Sequence, residues 1–238
     1  MTVYSTHQRA VEVPDVVVQR LPRYLRALDQ LTQGGATVVS SQQLGERLQM
    51  TPAQIRKDLS YFGRFGKQGQ GYNVLSLSEE LRQILGLNRQ WRVALVGVGR
   101  LGRAIIGYPG FAPEGFQVAA AFDSNPTHTG QEVAGLVIQP VAELCDTIRR
   151  LDIQIAIVAV PAPVTQKVVD LLVECGVRAI LSYAPTTIQA PPHVRVRTID
   201  PVLVLQSMTY YLGSVAGASP APVAARRPRG GTERRGLP

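Results

Sequence analysis

Apolar positions in the N-terminal third of the chain recur every three or four residues. Val17, Leu21, Tyr24, Leu25, Leu28 and Leu31 follow one another in this way before Gly34-Gly35, which predicts an amphipathic helix over residues 16–31 with one face in a core. Pro22 lies inside the run. It lacks the N–H of an i→i−4 bond, so it predicts a bend or a shortened helix. Ser41 reads as the N-cap of a short helix ending at Gln49, and Thr51-Pro52 as the cap and first-turn proline of another reaching about Gly63. Residues 63–73, with four glycines, Arg64 and Lys67, read as a β-hairpin, and a further helix is expected over 78–85.

From Trp91 the pattern changes to apolar strands at 92–96, 117–122, 136–139, 154–160, 178–182 and 194–199, with helical segments in most of the gaps. Alternation of this kind predicts an α/β fold, a doubly wound parallel sheet covered on both faces. Residues 200–212 read as a last apolar helix. Beyond 213 the composition falls to Ala, Pro, Gly, Ser and Arg, which predicts a disordered basic tail because too little apolar surface is available to order it. The expected organisation is therefore a winged helix-turn-helix over 1–86, a Rossmann domain over 87–199, a C-terminal helix over 200–212 and the tail over 213–238.

Charge sharpens this division. Residues 1–90 carry 11 Lys and Arg against 7 Asp and Glu, residues 91–212 carry 9 against 9, and residues 213–238 carry 5 against 1. A neutral middle flanked by basic ends suits a small-molecule domain attached to a nucleic-acid module. Neither a leader-like start nor an apolar run of about 18 residues is present, so a cytoplasmic protein without a membrane partner is expected. The two cysteines, Cys145 and Cys175, have no C-x-x-C spacing and no nearby histidine. They predict buried, inert thiols and no metal site.

The most specific local signal is Gly97-Val98-Gly99-Arg100-Leu101-Gly102, directly after the strand Val93-Ala94-Leu95-Val96. Gly97 permits a tight turn, Gly99 lets a pyrophosphate approach the backbone, and Gly102 lets the helix pack on the strand. Asp123 ends the next strand about 20 residues later, where a carboxylate accepts ribose hydroxyls and repels a 2′-phosphate. NAD(H) is thus expected rather than NADP(H). Val160-Pro161 ends a later strand at the edge where such ligands sit. A dehydrogenase would need an acid or base beside the nicotinamide. The candidates, His128, His193 and Lys167, read as loop or helix-surface residues, and no segment remains for a substrate domain. The nucleotide is expected as a regulatory ligand, with a small NAD-dependent oxidoreductase as the alternative.

For DNA, the helix beginning at Thr51 presents Gln54, Arg56, Lys57, Ser60 and Tyr61 outward, with Ile55 and Leu59 inward. Such a face suits phosphates and base edges, with Ser41 on the preceding helix and Arg64 and Lys67 of the hairpin gripping flanking phosphates.

These residues together resemble the Rex-type redox-sensing transcriptional repressors. The likeness rests on Ser41-Gln42-Gln43-Leu44-Gly45, Arg56-Lys57-Asp58-Leu59-Ser60-Tyr61-Phe62-Gly63, Gly69-Gln70-Gly71-Tyr72, Leu87-Asn88-Arg89-Gln90-Trp91, the glycine turn and Tyr108-Pro109-Gly110-Phe111. The resemblance implies a homodimer that exchanges its C-terminal helices and holds double-stranded operator DNA until NADH releases it. It also implies that Arg26, Tyr108 and Asp200 change partners between the two forms. Some relatives carry an aromatic after the aspartate, where this chain has Pro201. A thiol-based regulator using the two cysteines is the remaining rival: it predicts that replacing both with serine abolishes the response, whereas the nucleotide reading predicts little change.

Overall fold

The computed structural model describes residues 13–66 and 70–215. The N-terminal unit comprises α1 (Asp15–Gln33), β1 (Val38–Val39), α2 (Ser41–Leu48), α3 (Pro52–Ser60), β2 (Tyr72–Asn73) and α4 (Val74–Ile84). The spaced apolar residues of α1, among them Leu21, Tyr24 and Leu28, are buried with Leu44 of α2, Ile55 of α3 and Leu81 of α4 in one core. Pro22 stands on the exposed side of α1 and the helix continues through it to Gln33. It does not shorten the helix, because packing on both sides outweighs one missing hydrogen bond.

Several local expectations change. The N-cap of α2 is Ser40, not Ser41: the Ser40 hydroxyl accepts from the Gln43 N–H at 3.1 Å, and the Gln43 side chain accepts from the Ser40 N–H at 2.8 Å. This reciprocal box satisfies two end donors at once. Thr51 caps α3 through the Gln54 N–H at 3.2 Å with Pro52 in the first turn, and the helix stops at Ser60, short of Gly63. Among the described residues, no strand pairing joins the two ends of the glycine-rich segment. Its strand β2 pairs antiparallel with β1, Val38 opposite Asn73 and Val39 opposite Tyr72. Gly71 makes that approach possible, since a Cβ there would lie 2.7 Å from the Val39 carbonyl oxygen. α4 starts at Val74 instead of Ser78, capped by the Asn73 side chain accepting from the Ser76 N–H at 2.9 Å.

The second unit comprises β3 (Trp91–Val96), α5 (Arg100–Ile106), β4 (Phe116–Asp123), β5 (Glu132–Val133), β6 (Leu136–Pro140), α6 (Leu144–Arg150), β7 (Ile155–Val158), α7 (Ala162–Glu174), β8 (Ala179–Ser182), β9 (Arg195–Thr198) and α8 (Pro201–Val215). The sheet order is β5-β6-β4-β3-β7-β8-β9. Every neighbouring pair is parallel except the short edge pair of β5 with β6. The expected doubly wound sheet is present, with an added antiparallel edge strand too short to leave a periodic trace. Chain order reverses between β3 and β7, the point at which such sheets open a ligand crevice.

The expectation of free thiols is overturned. Cys145 in α6 and Cys175 just after α7 form a disulfide, with their Cα atoms 4.8 Å apart. The two helices share one face of the sheet, a proximity that 30 residues of separation conceal.

The two units meet where Arg197 and Arg195 of β9 approach Asp15 at the head of α1, at 3.4 and 3.9 Å. Asp200 caps α8, accepting from the Val202 N–H at 2.9 Å. That helix continues to Val215, past the expected end at Leu212. It leaves Leu203, Leu205, Met208 and Leu212 more than half exposed. The expected disordered tail, apart from its first three residues, lies outside the described residues. Among those described, no helix is long and apolar enough to cross a membrane.

Candidate functional site

A cleft of about 780 Å³ opens at the carboxyl edge of β3, β4 and β7. Gly97, with φ +96°, forms its floor; a Cβ there would stand 2.5 Å from the Ala159 carbonyl oxygen. Gly102 presses on the same turn, and its Cβ would reach 2.1 Å from the Gly97 carbonyl. At Gly99 a Cβ would meet nothing within 4 Å. Two of the glycines are thus required by the fold, and the third leaves space on the cleft side. Arg100, Leu101, Val160 and Pro161 also line the cleft. Val98 is fully buried beneath it, its N–H donating to Asp123 at 2.7 Å.

Asp123 also accepts from the Asn125 N–H at 2.8 Å. Burial alone would raise its carboxyl, but these N–H groups and His128 outweigh that and hold it below the usual carboxylate range. One oxygen accepts a single bond and keeps a lone pair for an incoming hydroxyl. His128, expected as a solvated loop residue, instead lines the cleft with Nδ1 3.1 Å from Asp123. Lys167, Val168 and Leu171 of α7 also face the cleft. The pointer to His128 was its position in the loop that follows the acid-ending strand.

Tyr108 is not in the cleft. Its ring is 58% exposed and stands edge-on to Phe111 at 5.2 Å. Arg26 is exposed on α1 near Arg23 and Arg47. With Asp200 at the head of α8, the three residues of the implied switch occupy separate places, and no hydrogen bond or ion pair joins them among the described residues.

On α3, Arg56 and Lys57 are exposed. The Arg56 guanidinium donates to the Ser41 hydroxyl at 2.9 Å, linking the two short helices, and Ser60 donates to the Lys57 carbonyl at 2.7 Å. Tyr61 is half-buried and Arg64 exposed; Lys67 lies outside the described residues. Gln54 does not face outward. Its amide donates to Asp58 at 2.6 Å.

Asp58 is fully buried and was not anticipated as a structural centre. It accepts two bonds from Arg20, at 2.5 and 2.7 Å, and one from Tyr24 at 2.5 Å. Burial works to raise its carboxyl, and the Arg20, Tyr24 and Gln54 bonds prevail and lower it. Burial and the bond to Asp58 push the Tyr24 phenol well above its ordinary value. Asp58 sits among Ile55 and Leu59 on the inward face of α3, and an acid at such a position signals a buried partner.

Residues 12–60 match the family described as "Putative DNA-binding protein N-terminus", and residues 88–186 the family described as "CoA binding domain". A redox-sensing transcriptional repressor Rex of Roseiflexus sp. is 56% identical over 86% of this chain and 93% of its own length. The Rex of Brevibacillus brevis is 50% identical over 84% and 97%. Among solved structures, RSP in complex with β-NAD⁺ and operator DNA superposes with a TM-score of 0.82 at 35% identity, covering 86% of this chain and 94% of that one. RSP in complex with β-NADH gives 0.78 at 33% identity, covering 86% and 96%. With this extent of identity behind the glycine turn, the acid and the cationic helix, the chain belongs to the Rex family of redox-sensing transcriptional repressors.

Proposed function

We propose that this protein is a cytoplasmic repressor that grips operator DNA as a homodimer and is released when NADH fills the cleft beside Gly99. The observation that carries this reading is the open space at Gly99, bounded by a turn that tolerates no larger residue at Gly97 or Gly102 and facing an ionised Asp123. The pyrophosphate lies along the turn, the adenine ribose meets Asp123, and Arg56 and Lys57 meet the duplex. The winged helix over 1–86, the nucleotide domain over 87–199 and the helix beyond Asp200 are its functional parts. In the homodimer the exposed apolar residues of α8 are covered by the partner subunit. Arg26, Tyr108 and Asp200 then come together across subunits, which accounts for their separation in one chain.

The nucleotide acts as a signal, without bond making or breaking. A ligand shifts a two-state protein only through its different affinity for the states. Reduced nicotinamide is neutral and the oxidised ring cationic, so an apolar inter-subunit pocket closes more readily on the reduced form. Titrating an operator-bound sample with each nucleotide tests the proposal by fluorescence anisotropy. NADH is expected to release the duplex at much lower concentration than NAD⁺, with no consumption of NADH. Equal release by both, or none, overturns it.

A further inference from the structure

The disulfide between α6 and α7 stands one helical turn from the cleft. Cys145 follows Val141 by four residues and Cys175 follows Leu171 by four, and both Val141 and Leu171 line the cleft. All four belong to one packed cluster, together with Val168. The cross-link therefore ties α6, which follows the short 3-10 turn beginning at Val141, to the end of α7, whose Val168 and Leu171 line the cleft. Cys175 is 4% exposed, whereas Cys145 is only partly buried, so a reagent meets the Cys145 sulfur first. Disulfides in reducing compartments are more often responsive than permanent.

We infer that Cys145 and Cys175 form a thiol–disulfide site that sets the nucleotide affinity of the cleft, a second redox input beside the nicotinamide. This inference rests on the nucleotide reading proposed above. The oxidant is a small-molecule disulfide of the glutathione class. The Cys145 thiolate attacks it, breaking the oxidant's S–S bond and releasing one thiol. The Cys175 thiolate then attacks the Cys145 sulfur of the mixed disulfide and releases the second. Two electrons pass to the oxidant, one protein S–S bond forms, and the two cysteine protons leave on the two released thiols. Reduction runs the same steps backwards, beginning at the more accessible Cys145.

Closing the bond preorganises the cleft wall, so the disulfide form binds nucleotide more tightly. Because Val141 also lines the hollow beside Asp123, where the nucleotide reading puts the adenine ribose, NADH, NAD⁺ and ADP-ribose gain by the same factor. The nicotinamide preference is preserved.

The test equilibrates the full-length protein in glutathione buffers from fully reducing to fully oxidising, counts free thiols, and measures the affinity for NADH and ADP-ribose at each ratio. Circular dichroism checks that the reduced protein stays folded. The expected result is interconversion within the buffer range, with both ligands weakened by about 5-fold or more on reduction, at the lower end of ordinary coupling between sites. The variant carrying both Cys145→Ser and Cys175→Ser, which has no thiol left to react, should match the reduced protein in either buffer. A pair that stays disulfide at every ratio, or equal affinities of the two forms, overturns the inference and leaves the nucleotide reading intact. Absence of NADH binding in both forms overturns the nucleotide reading, and this inference with it.

Discussion

Arg20 places both arms of its guanidinium on the carboxylate of Asp58, tying the middle of α1 to the inward face of α3 across 38 residues of sequence. With Tyr24 and Gln54 donating to the same carboxylate, the orientation of α3 depends on one buried charge. Removing one partner of such a pair leaves the other uncompensated.

Asp58→Ala is accordingly expected to destabilise the N-terminal unit by about 3–5 kcal/mol. Operator binding should fall with it while NADH binding in the cleft persists. Urea denaturation alongside gel shift and nucleotide fluorescence checks this; retained operator affinity would show that Asp58 does not set the helix.

Acid should act through the same group. Asp58 and Asp123 both titrate below their ordinary values when folded, so the unfolded chain binds protons more readily as pH falls. The stability they contribute is complete above the unfolded carboxylate range, about pH 4, and is lost as pH drops through the folded values. Urea midpoints should be level from neutral pH to about 5 and fall below 4, and Asp58→Asn should flatten that acid limb. Tyr24, raised when folded, acts at the other extreme. Its contribution is complete below about pH 10 and is lost as pH rises towards the folded value.

The glycines of the phosphate turn should separate by experiment. Gly102→Ala drives a Cβ into the Gly97 carbonyl and should cost about 1–3 kcal/mol or more in stability. Gly99→Ala puts its Cβ where no protein atom lies within 4 Å, so its melting temperature without nucleotide should stay close to the parent. Its NADH affinity should drop by roughly 10-fold or more, a loss of about 1.4 kcal/mol. Thermal melts with and without nucleotide distinguish the two effects.

Arg56→Ala and Lys57→Ala should weaken DNA differently. Loss of a base-reading arginine costs about 1–3 kcal/mol and relaxes specificity, whereas loss of a phosphate contact lowers the salt slope by about 0.9 for all sequences. Arg56 is held by Ser41, so Ser41→Ala should reproduce part of the arginine effect. Anisotropy titrations at several salt concentrations on specific and scrambled duplexes read both quantities.

If α8 holds the proposed dimer, a charge on its exposed face, as in Leu205→Asp, should weaken self-association by about 2 kcal/mol or more, roughly 30-fold. Sedimentation velocity measures this directly. Unchanged association would count against α8 as a subunit contact.

The legible parts of this protein were those whose information is local. The strands β3, β4 and β7 are apolar runs bounded by glycine, proline or acid, and Gly97 to Gly102 with Asp123 carry their spacing in the sequence. The cap Thr51 sits beside the group it satisfies. What sequence concealed depends on distant partners. Val38–Val39 is too short to show an alternating period, and becomes a strand only because Tyr72 and Asn73 return beside it. Asp58 looks like one more polar residue on a charged helix until Arg20 and Tyr24 meet it. Cys145 and Cys175 lacked a spacing motif, since their proximity is made by two helices on one sheet face. His128 was misread because a loop histidine is usually solvated, yet its loop folds back on Asp123.

The meeting of Asp15 with Arg195 and Arg197 carries a mechanical consequence. All three side chains are more than half exposed, and pairs of that kind are worth about 0–1 kcal/mol and are screened within roughly 8 Å at physiological ionic strength. The contact between the N-terminal unit and β9 is thus a loose electrostatic tether at this point instead of a cemented one. Concentrated salt, which loosens the grip on a duplex, will slacken this joint as well.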